Sequence, residues 1–279
     1  MRIGFVTRGV DSVAFEKITR TIKARGHDCI VINSDHILNT EDLPDVDALI
    51  VRSSPANQAR VIDICRYYEA KNIPATTSSE SIGVFGDKLL TSLHFEENNI
   101  PSPITRAVSI DNVDMVCKQF QYPVIIKLAR GSQGKGVVIA ESLRSARSVC
   151  DALFELGCSL IAQEYIEAHG TDVRFVVVDG VIASSMRRKS SSDDEFRSNI
   201  SIGGRGYEYT PNEVDTELMR RIYESTNSAV MGVDVIYDTT GKAYVLEVNT
   251  SPGLHIMEVS GIDNVSKYID YLESKVSHG

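Results

Sequence analysis

The sequence predicts a mixed architecture, α/β in its first third and α+β beyond it. Three observations predict it. Up to residue 75, short β-branched runs alternate with helical periodicity, the pattern of a small parallel sheet covered on both faces. From Tyr122 onward, strands follow one another through short turns, Asp179-Gly180 being the strongest signal. The extended segment Ile100-Pro-Ser-Pro103 marks a boundary between the two regions. With 279 residues and 42% hydrophobic content, the chain is long enough for two or three modest cores.

In the first region, Arg2-Ile-Gly-Phe-Val-Thr7 reads as a buried strand. Val13, Ile18 and Ile22 carry helical spacing over 12–25, and Gly26 stands where a helix would end. Asp28–Asn33 and Asp47–Arg52 are further strands, and 56–71 is a second helix. The turn after the first strand, Thr7-Arg-Gly-Val10, lacks the glycine fingerprint of a dinucleotide site. This module is therefore expected to be scaffold and substrate wall. The chain starts on a strand with no apolar signal region.

Asp87 can cap a helix that places Lys88 in its first turn. A cation there opposes the helix dipole, so either an anionic ligand lies nearby or the lysine snorkels at the surface. Residues 109–120 read as helix. Tyr122–Leu128 is a buried strand interrupted by Lys127, and a lysine in that setting needs a partner. Directly after it comes Arg130-Gly131-Ser132-Gln133-Gly134-Lys135-Gly136, then the strand Val137–Ala140. Three glycines in six residues let backbone N–H groups approach phosphates. No Ser or Thr follows the lysine and a strand follows the loop, so this is not a Walker loop. It is either a flap over phosphates or a glycine-rich hairpin.

Residues 141–156 read as helix, and Ser159–Glu167 as a strand running into the loop His169–Asp172. A hairpin through Asp179-Gly180 carries Arg174, Arg187 and Arg188. Ser190–Glu195 reads as mobile, Gly203–Gly206 as a loop, and 212–229 as a long helix. A final helix is expected over 264–276.

The most telling stretch is the hairpin Val230–Tyr237 and Ala243–Asn249 around the turn Asp238-Thr-Thr-Gly-Lys242. Centring the turn between Thr240 and Gly241 places Asp234 opposite Glu247, with Asn249 on the same face. Two carboxylates and an amide oxygen inside an apolar hairpin invite a hard cation such as Mg2+, which takes oxygen ligands and substrate phosphates. The alternative is a solvated acidic face.

Net charge is −9 with both signs interspersed, which argues against nucleic acid as a main partner. No apolar run reaches about 18 residues, so no membrane span is expected. The five cysteines, Cys29, Cys65, Cys117, Cys150 and Cys158, are scattered and unpaired in pattern, as expected for buried thiols in a reducing cytosol.

Taken in order, Asp87-Lys88, Lys127 before Gly-Ser-Gln-Gly-Lys-Gly, Gln163-Glu-Tyr-Ile166, Asp172-Val-Arg174, Phe196-Arg-Ser-Asn199, Gly232-Val-Asp234 and Glu247-Val-Asn249-x-Ser-Pro-Gly253 resemble the ATP-grasp carboxylate–amine ligases. More narrowly they resemble the RimK-like amino-acid, often α-L-glutamate, ligases. The resemblance covers about 75–275, and the N-terminal module resembles the family's pre-ATP-grasp domain only in pattern. It implies an ATP-grasp fold in which an N-terminal α/β domain (1–90) precedes two α+β lobes clasping ATP, a small one (91–165) with the flap and a large one (166–279) with the metal site.

The resemblance also implies roles. Lys88 and Lys127 would contact ATP phosphates under a flap of Gly131, Ser132, Gln133, Gly134 and Gly136. Gln163, Glu164, Tyr165 and Ile166 would line adenine, and Asp172 would hold the ribose. Arg197, Ser198 and Asn199 would lie by the terminal phosphate. Asp234, Glu247 and Asn249 would bind Mg2+, two ions being expected and Mn2+ a possible substitute. Arg188, with Arg197 and Lys127, would act in catalysis. Arg174 and Arg188 either grip a substrate carboxylate in bidentate fashion or pair with Asp and Glu. In such ligases ATP phosphorylates a carboxylate and an amine displaces phosphate to give an amide. The substrates implied are an amino acid, glutamate first, and a carboxylate or peptide acceptor; a small-molecule, cofactor or carrier acceptor and a non-catalytic ATP-binding module are the alternatives. The serine- and acid-rich stretch Lys189–Glu195 departs from the family pattern and is expected to serve acceptor recognition or gating. A cytoplasmic enzyme is expected, and a homodimer or homotetramer is compatible with the family.

Overall fold

The computed structural model describes residues 1–10, 12–131, 136–192, 198, 200 and 203–277. Three sheets organise them. The first is parallel, in the order β2-β1-β3, from β1 (Arg2–Thr7), β2 (Asp28–Asn33) and β3 (Ala48–Val51). Every residue of β1 from Ile3 onward is buried, because a parallel strand is covered on both sides. Helix α2 (Gln58–Glu69) covers one face with Val61, Ile64, Cys65 and Tyr68. Helix α1 (Val13–Ala24) covers the other, but not alone. The last helix of the described chain, α9 (Asn264–Val276), brings Val265, Ile269 and Leu272 into the core of Ile3, Phe5 and Ile50. The N-terminal module is thus closed by the far end of the chain.

Helices α3 (Ser79–Phe85) and α4 (Lys88–Glu97) lead on to the second sheet. Asp87 caps α4 as expected, its carboxylate accepting from the Leu89 and Leu90 amides. The second sheet is antiparallel, in the order β4-β7-β5-β6, from β4 (Thr105–Val108), β5 (Val124–Leu128), β6 (Val137–Ala140) and β7 (Leu160–Glu164). Val124, Ile126, Leu160 and Ala162 face α5 (Val113–Cys117) and α6 (Leu143–Phe154). Strand alternation therefore turns Lys127 and Gln163 to the opposite face.

The third sheet, β10-β9-β8-β11-β12, is antiparallel and comprises β8 (Thr171–Val178), β9 (Val181–Lys189), β10 (Arg205–Glu208), β11 (Val230–Tyr237) and β12 (Ala243–Asn249). One face packs Val173, Phe175, Met231, Val233 and Val235 against α7 (Glu213–Glu224) and against Phe95 and Ile100. The other packs Val176, Met186 and Val230 under Ile256 and Tyr268, from α8 (Ile256–Ser260) and α9.

Several boundaries differ from the sequence reading. Phe95 and Ile100, in the stretch expected as the small lobe, join the core of the third sheet, and the second sheet begins at Thr105. Helix α7 ends at Glu224 rather than near Ala229. The hydroxyls of Ser225, Thr226 and Ser228 bond to nearby carbonyls there, competing with helix continuation. The segment Gly203–Gly206, read as a loop, contributes to β10. Among the described residues no helix is long and apolar enough to cross a membrane.

Candidate active site

The hairpin brings Asp234 directly opposite Glu247, and Gly232 opposite Asn249. The Asn249 amide donates to Glu247 Oε1 at 3.0 Å, so the two β12 side chains share a face. The register reaches this arrangement by a route the turn alone does not give. Nearer the turn, Val235 pairs with Val245, and a bulge beside Asp234 leaves Leu246 without a partner. The bulge reverses the alternation of β12, so Val245 and Val248, three residues apart, both enter the core while Glu247 faces the other way. The Val245–Val248 spacing was the sequence signal for it.

Asp234 is 2% exposed and held by two arginines. Arg174 binds it through paired bonds of 2.6 Å, and Arg188 lies 2.9 Å from Oδ2. Burial opposes ionisation of Asp234, but the Arg174 and Arg188 guanidiniums outweigh it and hold its carboxyl well below the usual range. Glu247 lies 3.6 Å from Arg174 and is more open. Burial, then the neighbouring Asp234 charge, raises its carboxyl above the ordinary value.

Asp172 and Arg188 are 5% and 3% exposed and pair with each other through both carboxylate oxygens. The sequence left Arg188 two readings, gripping a substrate carboxylate or pairing with an acid. Of its two readings, a strand arginine paired with Asp is the one found. A ribose contact from Asp172 would require the pair to open. Arg174 takes the same form, paired with Asp234 rather than open.

On the second sheet, Lys127 donates to Gln163 Oε1 at 2.5 Å, and Gln163 donates onward to Thr105 Oγ1 at 2.8 Å. Burial lowers the Lys127 ammonium to about 8, and the Lys88 charge pushes the same way against Glu247. Lys127 thus stands within electrostatic reach of Lys88 on one side and Glu247 on the other. Lys88 Nζ donates to the Gly131 carbonyl at 2.8 Å, tethering the start of the glycine stretch. At its other end Gly136 has φ +70°, and a Cβ there would sit 2.5 Å from Leu128 Cδ1, so the position demands glycine. Glu164 ends β7, and Tyr165 and Ile166 run between the second and third sheets. Ser132, Gln133, Gly134, Arg197 and Asn199 lie outside the described residues, as do 193–195 of the Ser190–Glu195 stretch; Ser198 is buried.

The N-terminal module was expected to be scaffold and substrate wall, but its contacts with the hairpin were not read from the sequence. The segment after Asn249 is fastened to it: the Ser53 amide donates to Ser251 Oγ at 2.8 Å, and Arg52 Nη1 to the Pro252 carbonyl at 3.1 Å. Ser-Pro-Gly directly after the hairpin was the available signal.

Among the described residues no three His, Cys, Asp or Glu groups cluster for a metal; the set reaches three oxygen donors only with Asn249. Glu247 and Asn249 offer oxygens on one face of the hairpin, a donor set suited to Mg2+. Asp234 fits if its arginines share it. A Mg2+ ion there would neutralise the anionic oxygens of a bound phosphate chain, and Lys88 and Lys127 would hold its other side.

A family model described as the RimK-like ATP-grasp domain matches residues 87–272. A probable alpha-L-glutamate ligase of Shewanella pealeana is 31% identical over 293 residues, covering 99% of this chain and 64% of that relative. The chain thus spans a little under two thirds of that relative's length. A probable alpha-L-glutamate ligase 2 of Shewanella baltica is 30% identical over 294 residues, covering 99% and 97%. Among solved structures, a RimK domain ATP-grasp protein of Sphaerobacter thermophilus superposes with TM-score 0.76 at 19% identity, over 97% of this chain and 99% of that one. The ATP-grasp ligase PsnB, complexed with a phosphomimetic variant of its minimal precursor, Mg and ADP, gives 0.76 at 16% identity, over 98% of each chain.

Proposed function

The chain belongs to the RimK-like ATP-grasp family, and from that premise we propose that it is an ATP- and Mg2+-dependent carboxylate–amine ligase. The observation that carries this is the pairing of Asp234 with Glu247, with Asn249 beside them, in electrostatic reach of Lys127. Three oxygen donors together with two lysines suit a metal–phosphate chain.

The reaction follows. A carboxylate oxygen attacks the terminal phosphorus of ATP, the bond to ADP breaks, and an acylphosphate forms. An amine then attacks the acyl carbon, phosphate leaves, and the amine gives up a proton. Both steps build negative charge on oxygen, which lysines and Mg2+ are suited to stabilise. Lys88, Lys127, Gly131, Ser132, Gln133, Gly134 and Gly136 are assigned to the phosphates, and Gln163, Glu164, Tyr165 and Ile166 to adenine. Arg197, Ser198 and Asn199 are assigned to the terminal phosphate, and Asp234, Glu247 and Asn249 would hold Mg2+. Asp172 is assigned to the ribose and Arg188 to catalysis, roles in which their pair would have to open, and in the closed form Arg188 supports Asp234.

The amine substrate proposed is an amino acid, with glutamate first because the Shewanella relatives are named as glutamate ligases. PsnB, in complex with its precursor, supports a peptide carboxylate as acceptor. Cytosolic ATP and amino acids make the cytoplasm the proposed compartment. The test is ADP release across twenty amino acids, with and without peptide and small-molecule carboxylates. Release dependent on both substrates supports a ligase, and the best pair names its substrates. Saturable ATP binding without ADP formation for any pair overturns catalysis in favour of an ATP-binding module.

A further inference from the structure

Arg52 stands at the C-terminal end of β3, where its amide bonds the Val6 carbonyl at 2.9 Å and continues the sheet by one residue. In the order β2-β1-β3 the crevice for ligands in a parallel sheet opens where β1 and β3 diverge, outside their C-terminal ends. Arg52 lies on that edge.

Its surroundings are built rather than loose. Ser54 donates through both its amide and its hydroxyl to Asn57 Oδ1 at 2.8 Å, and the Asn57 amide donates to Ser34 Oγ at 3.0 Å. Among the described residues the arginine's partner is a single neutral carbonyl, Pro252 at 3.1 Å, and no carboxylate offsets it. Burial lowers its guanidinium from the ordinary value, opposed only by Tyr268. Arg174 and Arg188, by contrast, each have an acid. Arg52 is part-buried, and a guanidinium with N–H donors to spare and no acid beside it is open to an anion. Two further polar ends are left over on one face of α9. The Tyr268 hydroxyl and the Asn264 amide, on residues 3% and 0% exposed, have no partner among the described residues.

The place is close to the reaction. Pro252 lies against Gly232, where a Cβ would stand 2.9 Å from Pro252 Cβ and 3.7 Å from Asn249 Cβ. Gly232 is two residues from Asp234, about 7 Å along the strand. A substrate of amino-acid size held at Arg52 therefore has its other end near the proposed metal and phosphate.

We propose that Arg52 binds the non-reacting α-carboxylate of the amino acid that supplies the amine, at a subsite formed by the N-terminal module and the Ser251–Gly253 segment. This rests on the ligase reading and deepens it. Of the two substrates, the amine donor is the one whose carboxylate survives the reaction and must be gripped throughout. A guanidinium is the group that grips it in two-point fashion.

The test compares wild type with Arg52→Met and Arg52→Lys, using the best amino acid from the screen and its analogue lacking the α-carboxylate (for glutamate, 4-aminobutyrate). Arg52→Met should raise the KM for the amino acid about 30-fold or more, the scale of losing one partner of a desolvated charge pair. The analogue's KM should stay unchanged, as should the KM for ATP, and Arg52→Lys should recover part of the loss. Thermal stabilisation by the amino acid in the presence of ADP and Mg2+ gives a second reading that needs no turnover, and an intact shift with ATP and Mg2+ shows that the variant folds. If wild type releases no ADP, the ligase reading fails while this binding measurement still decides the subsite. An unchanged preference for the amino acid over its analogue in Arg52→Met, an effect confined to the acceptor's KM, or stabilisation of wild type by none of the twenty amino acids would each overturn the proposal.

Discussion

Arg174 holds Asp234 by two parallel hydrogen bonds of 2.6 Å, so one candidate metal ligand is also the anchor of a buried ion network. Arg188 adds a contact at 2.9 Å and is itself locked onto Asp172. Glu247 lies at the edge of this network, 3.6 Å from Arg174, and spends one oxygen on Asn249. The two carboxylates that the sequence reading treated alike therefore differ in what depends on them.

Asp234→Asn should cost fold stability as well as activity. It strips a buried charge from two guanidiniums that stay behind, and breaking one side of a buried pair costs about 3–5 kcal/mol. Urea unfolding of wild type and variant measures it. A loss below about 1 kcal/mol would mean that Asp172 and Glu247 suffice for the arginines.

Glu247→Gln should show the opposite balance. Its carboxyl is already raised by burial and by Asp234, so removing the charge relieves repulsion, and stability should stay within about 1 kcal/mol of wild type. ADP release should fall at least about 100-fold, because the neutral amide takes a negative charge from the Mg2+ site. Near-normal turnover at saturating Mg2+ would remove Glu247 from the metal site.

ATP affinity should carry the titration of Lys127. With its ammonium lowered to about 8 in the free protein, the lysine is charged below that pH and neutral above it. Phosphate favours the charged form, so ATP binding raises the lysine's affinity for its proton. Affinity should be level below pH 7 and weaken above about pH 8, by up to about tenfold per pH unit. Fluorescence titration with a nucleotide analogue from pH 6 to 9.5 follows it, and Lys127→Met should flatten the profile. An inflection that survives in Lys127→Met would belong to another group.

What could be read from the sequence was whatever local periodicity encodes. The hairpin pairing, the Asp87 cap, the parallel N-terminal sheet and the final helix follow from alternation, capping chemistry and apolar spacing within short windows. Phe95 shows the limit: nothing within α4 says that its ring completes the core of a sheet built some 80 to 150 residues later. The same holds for α9, whose apolar stripe is plain but whose partner is β1, at the other end of the chain. At the site, the arginines were legible as residues needing partners. The choice between substrate carboxylate and Asp or Glu depended on cross-strand register between β8, β9 and β11, which two-residue periodicity leaves open. Arg52 carried no motif, because its meaning comes from Pro252, 200 positions away.

Gly232→Ala should separate the metal from the amino-acid subsite. The added methyl would sit 2.9 Å from Pro252 Cβ and 3.6 Å from its Cα. A proline ring cannot rotate away, so the Ser251–Gly253 segment must shift. That shift strains the bonds from the Ser53 amide and from Arg52, at a cost of about 1–3 kcal/mol, typical of overpacking. Asp234 and Glu247 are held by their own strand pairing and arginines, so ATP and Mg2+ binding should persist. The KM for the amino acid should rise as in Arg52→Met, and combining the two substitutions should add little, because both act through the Arg52–Pro252 contact. Full additivity in that double-mutant cycle would show that Pro252 does not position Arg52.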